Sequence, residues 1–154
     1  MKLRLLCVGS PRPPLAEAIA GFERRIGHYF DYEAWEVGAA KGSPEEVRRR
    51  EGRALRGRLP DGSRVFALTR GGKRWGSRDL AEQLEELATY GPPGAAWIIG
   101  GAFGLSEELL AAADHQVSLS DFTMPHELAR LVLVEQLYRA GTILRGEPYH
   151  KEPA

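Results

Sequence analysis

Apolar residues recur along this chain with two alternating periods, one typical of strands and the other of helices. Residues 2–8 place Leu3, Leu5 and Cys7 on one side and Leu6 and Val8 on the other, as in a strand that is buried on both faces. The segment after a proline-rich turn carries apolar residues at spacings of three and four, which predicts an amphipathic helix: Leu15, Ile19, Phe22, Ile26 and Tyr29.

Further strands and helices are predicted to alternate along the rest of the chain. The strand candidates are residues 33–37, 64–68, 95–99 and 116–119. Ser43, Ser77 and Ser106 each precede a helical pattern and are predicted N-caps, and the last helix is predicted from His126 to about Leu144. This alternation predicts one α/β domain over residues 1–154, with a largely parallel five-stranded sheet flanked by helices.

Three strand exits carry the residues most suited to a ligand site. They are residues 68–74, 100–104 and 118–126, and the carboxyl ends of parallel strands open at one edge of a sheet. The glycine loop reads Gly100-Gly101-Ala102-Phe103-Gly104. It lacks the spacing of a dinucleotide fingerprint, and the chain has no GxxxxGK[ST] phosphate loop. The pattern therefore favours a small-molecule pocket over a Rossmann NAD site or an ATPase.

Composition excludes several classes of protein. Hydrophobic residues make up 43% and charged residues 27% of the 154, which is too apolar for a disordered chain. The longest apolar runs fall far short of the ~20 residues of a membrane span, and the N-terminal run is too short for a signal peptide. We expect a cytoplasmic protein. The single cysteine, Cys7, predicts no internal disulfide and no metal site, and a buried thiol.

Charge is distributed unevenly although the formal net charge is zero. Residues 1–78 carry 17 basic and 9 acidic side chains, whereas residues 79–154 carry 4 basic and 12 acidic ones. The basic residues cluster within residues 48–58 and 70–78. A basic half indicates an anionic partner such as a nucleic acid, although a solvated surface gives the same pattern.

The C-terminal Tyr149-His150-Lys151 is unusual for a chain end. An aromatic ring, an imidazole and a cation in a row suit stacking on a base, proton transfer and phosphate binding. A frayed tail is the alternative. His126 is interpreted as the start of the last helix rather than as a catalytic residue.

Four segments in combination resemble one known family. They are Ile98–Gly104, Ser118–His126, Leu133–Ala140 and Pro148–Lys151. The chain is similar over essentially its whole length to the RlmH family, which are bacterial methyltransferases of the SPOUT class. The resemblance implies a C-terminal trefoil knot, a homodimer, and S-adenosylmethionine as cofactor. It implies methylation of N3 of a pseudouridine in helix 69 of 23S ribosomal RNA, in assembled ribosomes.

The resemblance also implies which residues form the site. The residues carried over to the cofactor are Leu68, Gly100, Gly101, Leu119, Ser120, Asp121, Phe122, Thr123, Met124 and Pro125. In the tail, His150 is expected to handle the proton, Tyr149 to orient the base and Lys151 to contact phosphate or developing charge. The chain departs from the family pattern at Phe103, at Met124 and at residues 69–71.

Three other functions remain open on the sequence. A SPOUT methyltransferase acting on another RNA, such as tRNA, has the same motifs. A catalytically inactive RNA-binding module would have the same knotted fold but would transfer no methyl group. A flavodoxin-like nucleotide binder fits the alternation of strands and helices, but explains neither the tail nor residues 118–126.

Overall fold

Strands and helices alternate through the chain as the pattern predicts. The computed structural model describes residues 1–91 and 94–151. The elements within those ranges are β1 (Lys2–Val8), α1 (Leu15–Ile26), β2 (Asp31–Val37), α2 (Pro44–Arg58), β3 (Arg64–Arg74), α3 (Ser77–Tyr90), β4 (Gly94–Ile99), α4 (Glu107–Ala112), β5 (His115–Ser118) and α5 (His126–Leu144).

The strands form one sheet in the order β2-β1-β4-β3-β5, and every neighbouring pair is parallel. In register, Leu3 lies opposite Tyr32 on one side and Ala95 on the other, and Phe66 lies opposite Trp97. The α/β class with a parallel five-stranded sheet is confirmed. The trefoil knot stays a prediction that rests on the resemblance.

Helices cover both faces of the sheet, which is why its central strands are apolar throughout. Leu3, Leu5 and Cys7 pack with residues of α1, α3 and α5, whereas Leu6 and Val8 pack with residues of α2 and α4. Every residue of β4 is buried. The predicted division of β1 into two buried faces is confirmed.

β3 departs from a regular strand at the edge where the ligand site was predicted. Leu68 and Lys73 both pair with Val117, so residues 69–72 leave the sheet and return to it. Where the chain rejoins the sheet, its backbone lies close to β5, since a Cβ on Gly72 would lie 2.6 Å from the carbonyl carbon of Gln116. The sequence predicted a strand ending at residue 68, and the structure adds this excursion and a resumed strand.

Two of the three predicted helix caps are confirmed. Ser43 Oγ accepts a hydrogen bond from the backbone N–H of Glu46 at 3.2 Å, and Ser106 Oγ accepts one from Leu109 at 3.3 Å. The Ser77 cap was wrong. Gly76 holds the N-cap position, and Ser77 Oγ donates to Gln136 Oε1 of α5 at 2.6 Å.

A buried ionic cluster joins α5 to α1 and β2. Arg130 is 5% exposed, and its Nη2 lies 3.1 Å from both carboxylate oxygens of Glu23. Its Nη1 lies 3.6 Å from Glu36, and the Tyr32 hydroxyl donates to Glu23. The neighbouring Cys7 is buried as predicted, and burial raises the pKa of its thiol to about 12. The cluster holds the first half of α5 in place.

Within the described residues, no helix is long and apolar enough to cross a membrane. The same residues bring together no group of three His, Cys, Asp or Glu side chains suited to a metal ion.

Arg130→Ala is expected to lower the free energy of unfolding by about 3 kcal/mol, because it leaves the buried carboxylate of Glu23 without its counter-charge. Urea unfolding measures the change. Arg24→Ala, at an exposed position of α1, is the control and should stay within about 0.5 kcal/mol of the wild type. Equal stability of the two variants would show that the cluster does not hold α5.

Candidate functional site

A cavity of about 280 Å³ opens at the carboxyl ends of β3, β4 and β5. Its walls come from the three strand exits that the sequence singled out, and from the start of α5. This volume is close to the lower end of the range for small-molecule sites.

Eight of the ten residues that the resemblance assigns to a cofactor line this cavity: Leu68, Gly100, Gly101, Leu119, Ser120, Phe122, Thr123 and Met124. The other two do not line it. Asp121 is exposed and pairs with Arg74 at 2.9 Å, and Pro125 is exposed at the N-cap position of α5.

The glycine loop makes a tight turn that leaves no room for a side chain at Gly100 or Gly101. The Gly104 N–H donates to the Gly101 carbonyl at 3.1 Å, and Gly104 has a φ of +79°. A Cβ on Gly100 would lie 2.6 Å from the carbonyl carbon of Gly104, and one on Gly101 would lie 2.9 Å from Glu51 Oε1. The backbone of this loop therefore forms the cavity wall directly.

The loop that follows β5 is held by its own hydrogen bonds and by the β3 excursion. Ser118 Oγ donates to the Ser120 carbonyl at 3.0 Å, and the Phe122 N–H donates to Ser120 Oγ at 3.0 Å. Arg70 donates to Thr123 Oγ1 at 2.9 Å. These contacts, with the Arg74–Asp121 pair, join two walls of the cavity.

His126 is a candidate residue that the sequence interpretation missed. It lines the cavity, and both of its ring nitrogens are buried with no hydrogen-bond partner among residues 1–91 and 94–151. A neutral imidazole has one donor and one acceptor to satisfy. The ring packs beside Gly9, and Arg12 donates to the adjacent Glu127 through both its backbone N–H and its Nε at 3.1 Å. The signal in the sequence was a histidine at the end of a strand exit, at the first position of a helix.

The C-terminal tail packs on α5 rather than fraying. The Tyr149 ring lies edge-on to Tyr138 with centroids 4.6 Å apart, and the Arg139 guanidinium lies 5.0 Å from the Tyr149 centroid. Burial raises the pKa of Tyr149. His150 Nδ1 is buried without a hydrogen-bond partner in the described part of the chain, and Lys151 is exposed.

The start of the tail is also anchored. Tyr29 Oη donates to Glu147 at 2.5 Å, and Arg145 donates to the His28 carbonyl at 3.1 Å. Residues 145–149 are therefore anchored on α5 and on the residues just after α1 rather than frayed.

The structure does not bring the tail to the cavity of its own chain. α5 lines the cavity with His126 and Ala129 and contacts the tail at Tyr138, and the nine helical steps from Ala129 to Tyr138 span about 14 Å. Among the described residues, those that line the cavity include none of Tyr149, His150 and Lys151. One chain thus presents two separate halves of the predicted site.

Comparison with known proteins gives agreeing results. A family model described as "Predicted SPOUT methyltransferase" matches residues 1–150. A Listeria welshimeri protein named Ribosomal RNA large subunit methyltransferase H is 41% identical over 160 aligned residues, covering 98% of this chain and 100% of that protein. A Gemmatimonas aurantiaca protein of the same name is 43% identical over 155 residues, with the same coverage.

The fold also matches a solved structure, that of a probable methylase family protein from Haemophilus influenzae Rd KW20. The TM-score is 0.57 at 15% identity, covering 99% of this chain and 72% of the other. At this identity the match shows the fold.

Gly100→Ala is expected to weaken S-adenosylmethionine binding about tenfold or more, because overpacking against the Gly104 backbone costs about 1–3 kcal/mol and shifts the loop. Titration calorimetry measures the affinity. Gly57→Ala, on the exposed side of α2 with no atom within 4 Å, is the control and should bind normally. Normal binding by Gly100→Ala would show that the glycine loop does not contact the cofactor.

Proposed function

The chain belongs to the SPOUT methyltransferase family, and on that premise we propose that it methylates N3 of a pseudouridine in helix 69 of 23S ribosomal RNA. The observation that carries this proposal is the cavity at the three strand exits, in a chain similar throughout its length to relatives named for the large-subunit ribosomal RNA. The substrate is the assembled ribosome, so the enzyme acts in the cytoplasm.

We propose S-adenosylmethionine as the methyl donor, and the residues of the cavity suit it. The glycine loop lets backbone groups approach a ligand closely. A polar group of a ligand in the cavity would supply the hydrogen-bond partner that the buried His126 nitrogens lack among the described residues. The eight predicted residues that line the cavity would hold the cofactor. Its sulfonium supplies a methyl group already activated for transfer.

The protein's main task is then alignment. The glycine loop and residues 119–124 fix the position of the cofactor, and the RNA must bring its ring nitrogen into line with the methyl group. N3 of the ring carries a proton that must leave. We assign this proton to His150, stacking or orientation of the base to Tyr149, and contact with phosphate or developing negative charge to Lys151.

We further propose that the working enzyme is a homodimer in which the tail of one chain completes the cavity of the other. The separation of about 14 Å along α5 supports two chains, since the tail packs on α5 and is anchored to Tyr29. Exposed apolar side chains support self-association. Phe122 is 84% exposed at the cavity, and Leu128 of α5 is 37% exposed.

Incubation with labelled S-adenosylmethionine and ribosomes from a strain lacking the modification should place the label on N3 of the helix 69 pseudouridine. Mass spectrometry of the digested RNA locates the methyl group. Isolated 23S RNA and tRNA are tested as comparison substrates under the same conditions. Preferential labelling of tRNA would replace the proposed substrate, and cofactor binding without transfer to any RNA would indicate a silent RNA-binding module.

His150→Ala should lower turnover by about 100-fold or more while leaving cofactor affinity unchanged, because general acid–base groups contribute about 10² to 10⁴. Full turnover on ribosomes would exclude the proton role.

Coexpression tests the shared site directly. Mixed dimers of His150→Ala and Gly100→Ala chains contain one intact cavity facing one intact tail, so the mixture should regain about a quarter of wild-type activity. Wild-type dimers mixed with either variant are the control. A mixture no more active than its two parents would show that each chain uses its own tail.

A further inference from the structure

A second, larger cavity of about 590 Å³ lies between α2 and α4, on the face of the sheet opposite α5. We call it the arginine groove, after the four arginines that line it: Arg48, Arg49, Arg53 and Arg56. Nothing in the proposed chemistry uses it.

The spacing of residues in α2 explains why the arginines share one side. Val47, Glu51 and Leu55 face the sheet and are buried. Arg49, Arg53 and Arg56 follow each other at spacings of four and three, so they lie on a common strip of the helix. All three are exposed, and the strip faces the start of α4.

These guanidinium groups have few partners within the protein. Arg49 lies 3.8 Å from a carboxylate oxygen of Glu46. In residues 1–91 and 94–151, the side chains of Arg48, Arg53 and Arg56 take part in no hydrogen bond or ion pair. Four cations side by side repel one another, and an anion in the groove would relieve that repulsion.

Three carboxylates also line the groove, from Glu45, Glu107 and Glu108. Its charge is therefore mixed, which fits a ligand that offers both anionic acceptors and neutral donors. An RNA strand does so, because its phosphates accept from guanidinium groups while its 2′-hydroxyls and base amino groups donate to carboxylates.

The groove and the cavity at the strand ends are lined by consecutive residues of the chain. Leu105 lines the cavity, and the next residue, Ser106, lines the groove. A Cβ on Gly52 would lie 2.6 Å from Ser106 Oγ, so α2 and the start of α4 are packed tightly at this junction. Because Leu105 and Ser106 are neighbours, we expect an RNA strand with one base at the cavity to place flanking phosphates near this end of the groove.

We infer that the arginine groove binds the phosphate backbone of the RNA next to the methylated nucleotide. This inference rests on the proposed function for the nature of the substrate. Such contacts fix the orientation of the RNA and carry no sequence information themselves.

The test compares two triple variants with the same loss of charge. Arg49→Gln/Arg53→Gln/Arg56→Gln removes the groove arginines, and Lys2→Gln/Arg24→Gln/Arg58→Gln removes exposed cations towards the opposite edge of the sheet. Ribosome binding is measured by filter retention over a range of KCl concentrations, with calorimetry for S-adenosylmethionine and light scattering for oligomeric state.

The groove variant should bind ribosomes about 10- to 100-fold more weakly, and its slope of log affinity against log salt should fall by about 2, since each lost phosphate contact removes about 0.7. The control variant should change both much less, and cofactor affinity and oligomeric state should stay unchanged. Equal losses in the two variants, or a changed oligomeric state in the groove variant alone, would overturn the inference.

Glu45→Gln/Glu108→Gln gives an effect of opposite sign that misfolding cannot imitate. Glutamine keeps a carbonyl oxygen that accepts from the RNA donors and removes the negative charge beside the phosphates, so ribosome binding should strengthen severalfold at low salt. No gain, or a loss, would count against a phosphate site. Ribosome binding is measured without turnover, so the two proposals are tested separately. Failure of methyl transfer by the wild type overturns the proposed function, whereas ribosome binding by the groove variants tests the phosphate site.

Discussion

Parallel pairing of β3, β4 and β5 is the constraint on which the site depends. The carboxyl ends of neighbouring parallel strands lie at the same edge of a sheet. Three loops far apart in sequence therefore meet there, and no sequence motif has to link them. The pairing requires strands buried on both faces, and the apolar residues of β1 and β4 supply this. The parallel order of the strands therefore both places the three loops at one edge and requires the apolar packing of the central strands.

α5 connects that edge with the tail. Its first turn carries His126 into the cavity, and the buried Arg130 fixes it against α1 and β2. Its later turns carry Tyr138 and Arg139, on which Tyr149 packs. One continuous helix thus keeps the residues that line the cavity apart from those on which Tyr149 packs.

The sequence predicted most of the fold because the relevant signals are local. The bounds of β1 and of α5 follow from periodicity, and Ser43 and Ser106 follow from capping. The misses depend on tertiary contacts. Gly76 rather than Ser77 holds the N-cap of α3, and Ser77 instead contacts Gln136. The β3 excursion depends on pairing of both Leu68 and Lys73 with Val117. His126 stands out only because its buried ring nitrogens have no hydrogen-bond partner in the part of the chain that the structure describes. That the tail lies away from the cavity of its own chain could be seen only from the packing of Tyr149 on α5.

The β3 excursion affects how fast a ligand can enter and leave. Both of its ends are pinned on the same residue, Val117, and Gly72 lies against the backbone of β5. The excursion is also bonded through Arg70 to Thr123, so we expect it to move together with the 119–125 loop. Substitutions in either segment are therefore expected to change how fast a ligand enters and leaves the cavity.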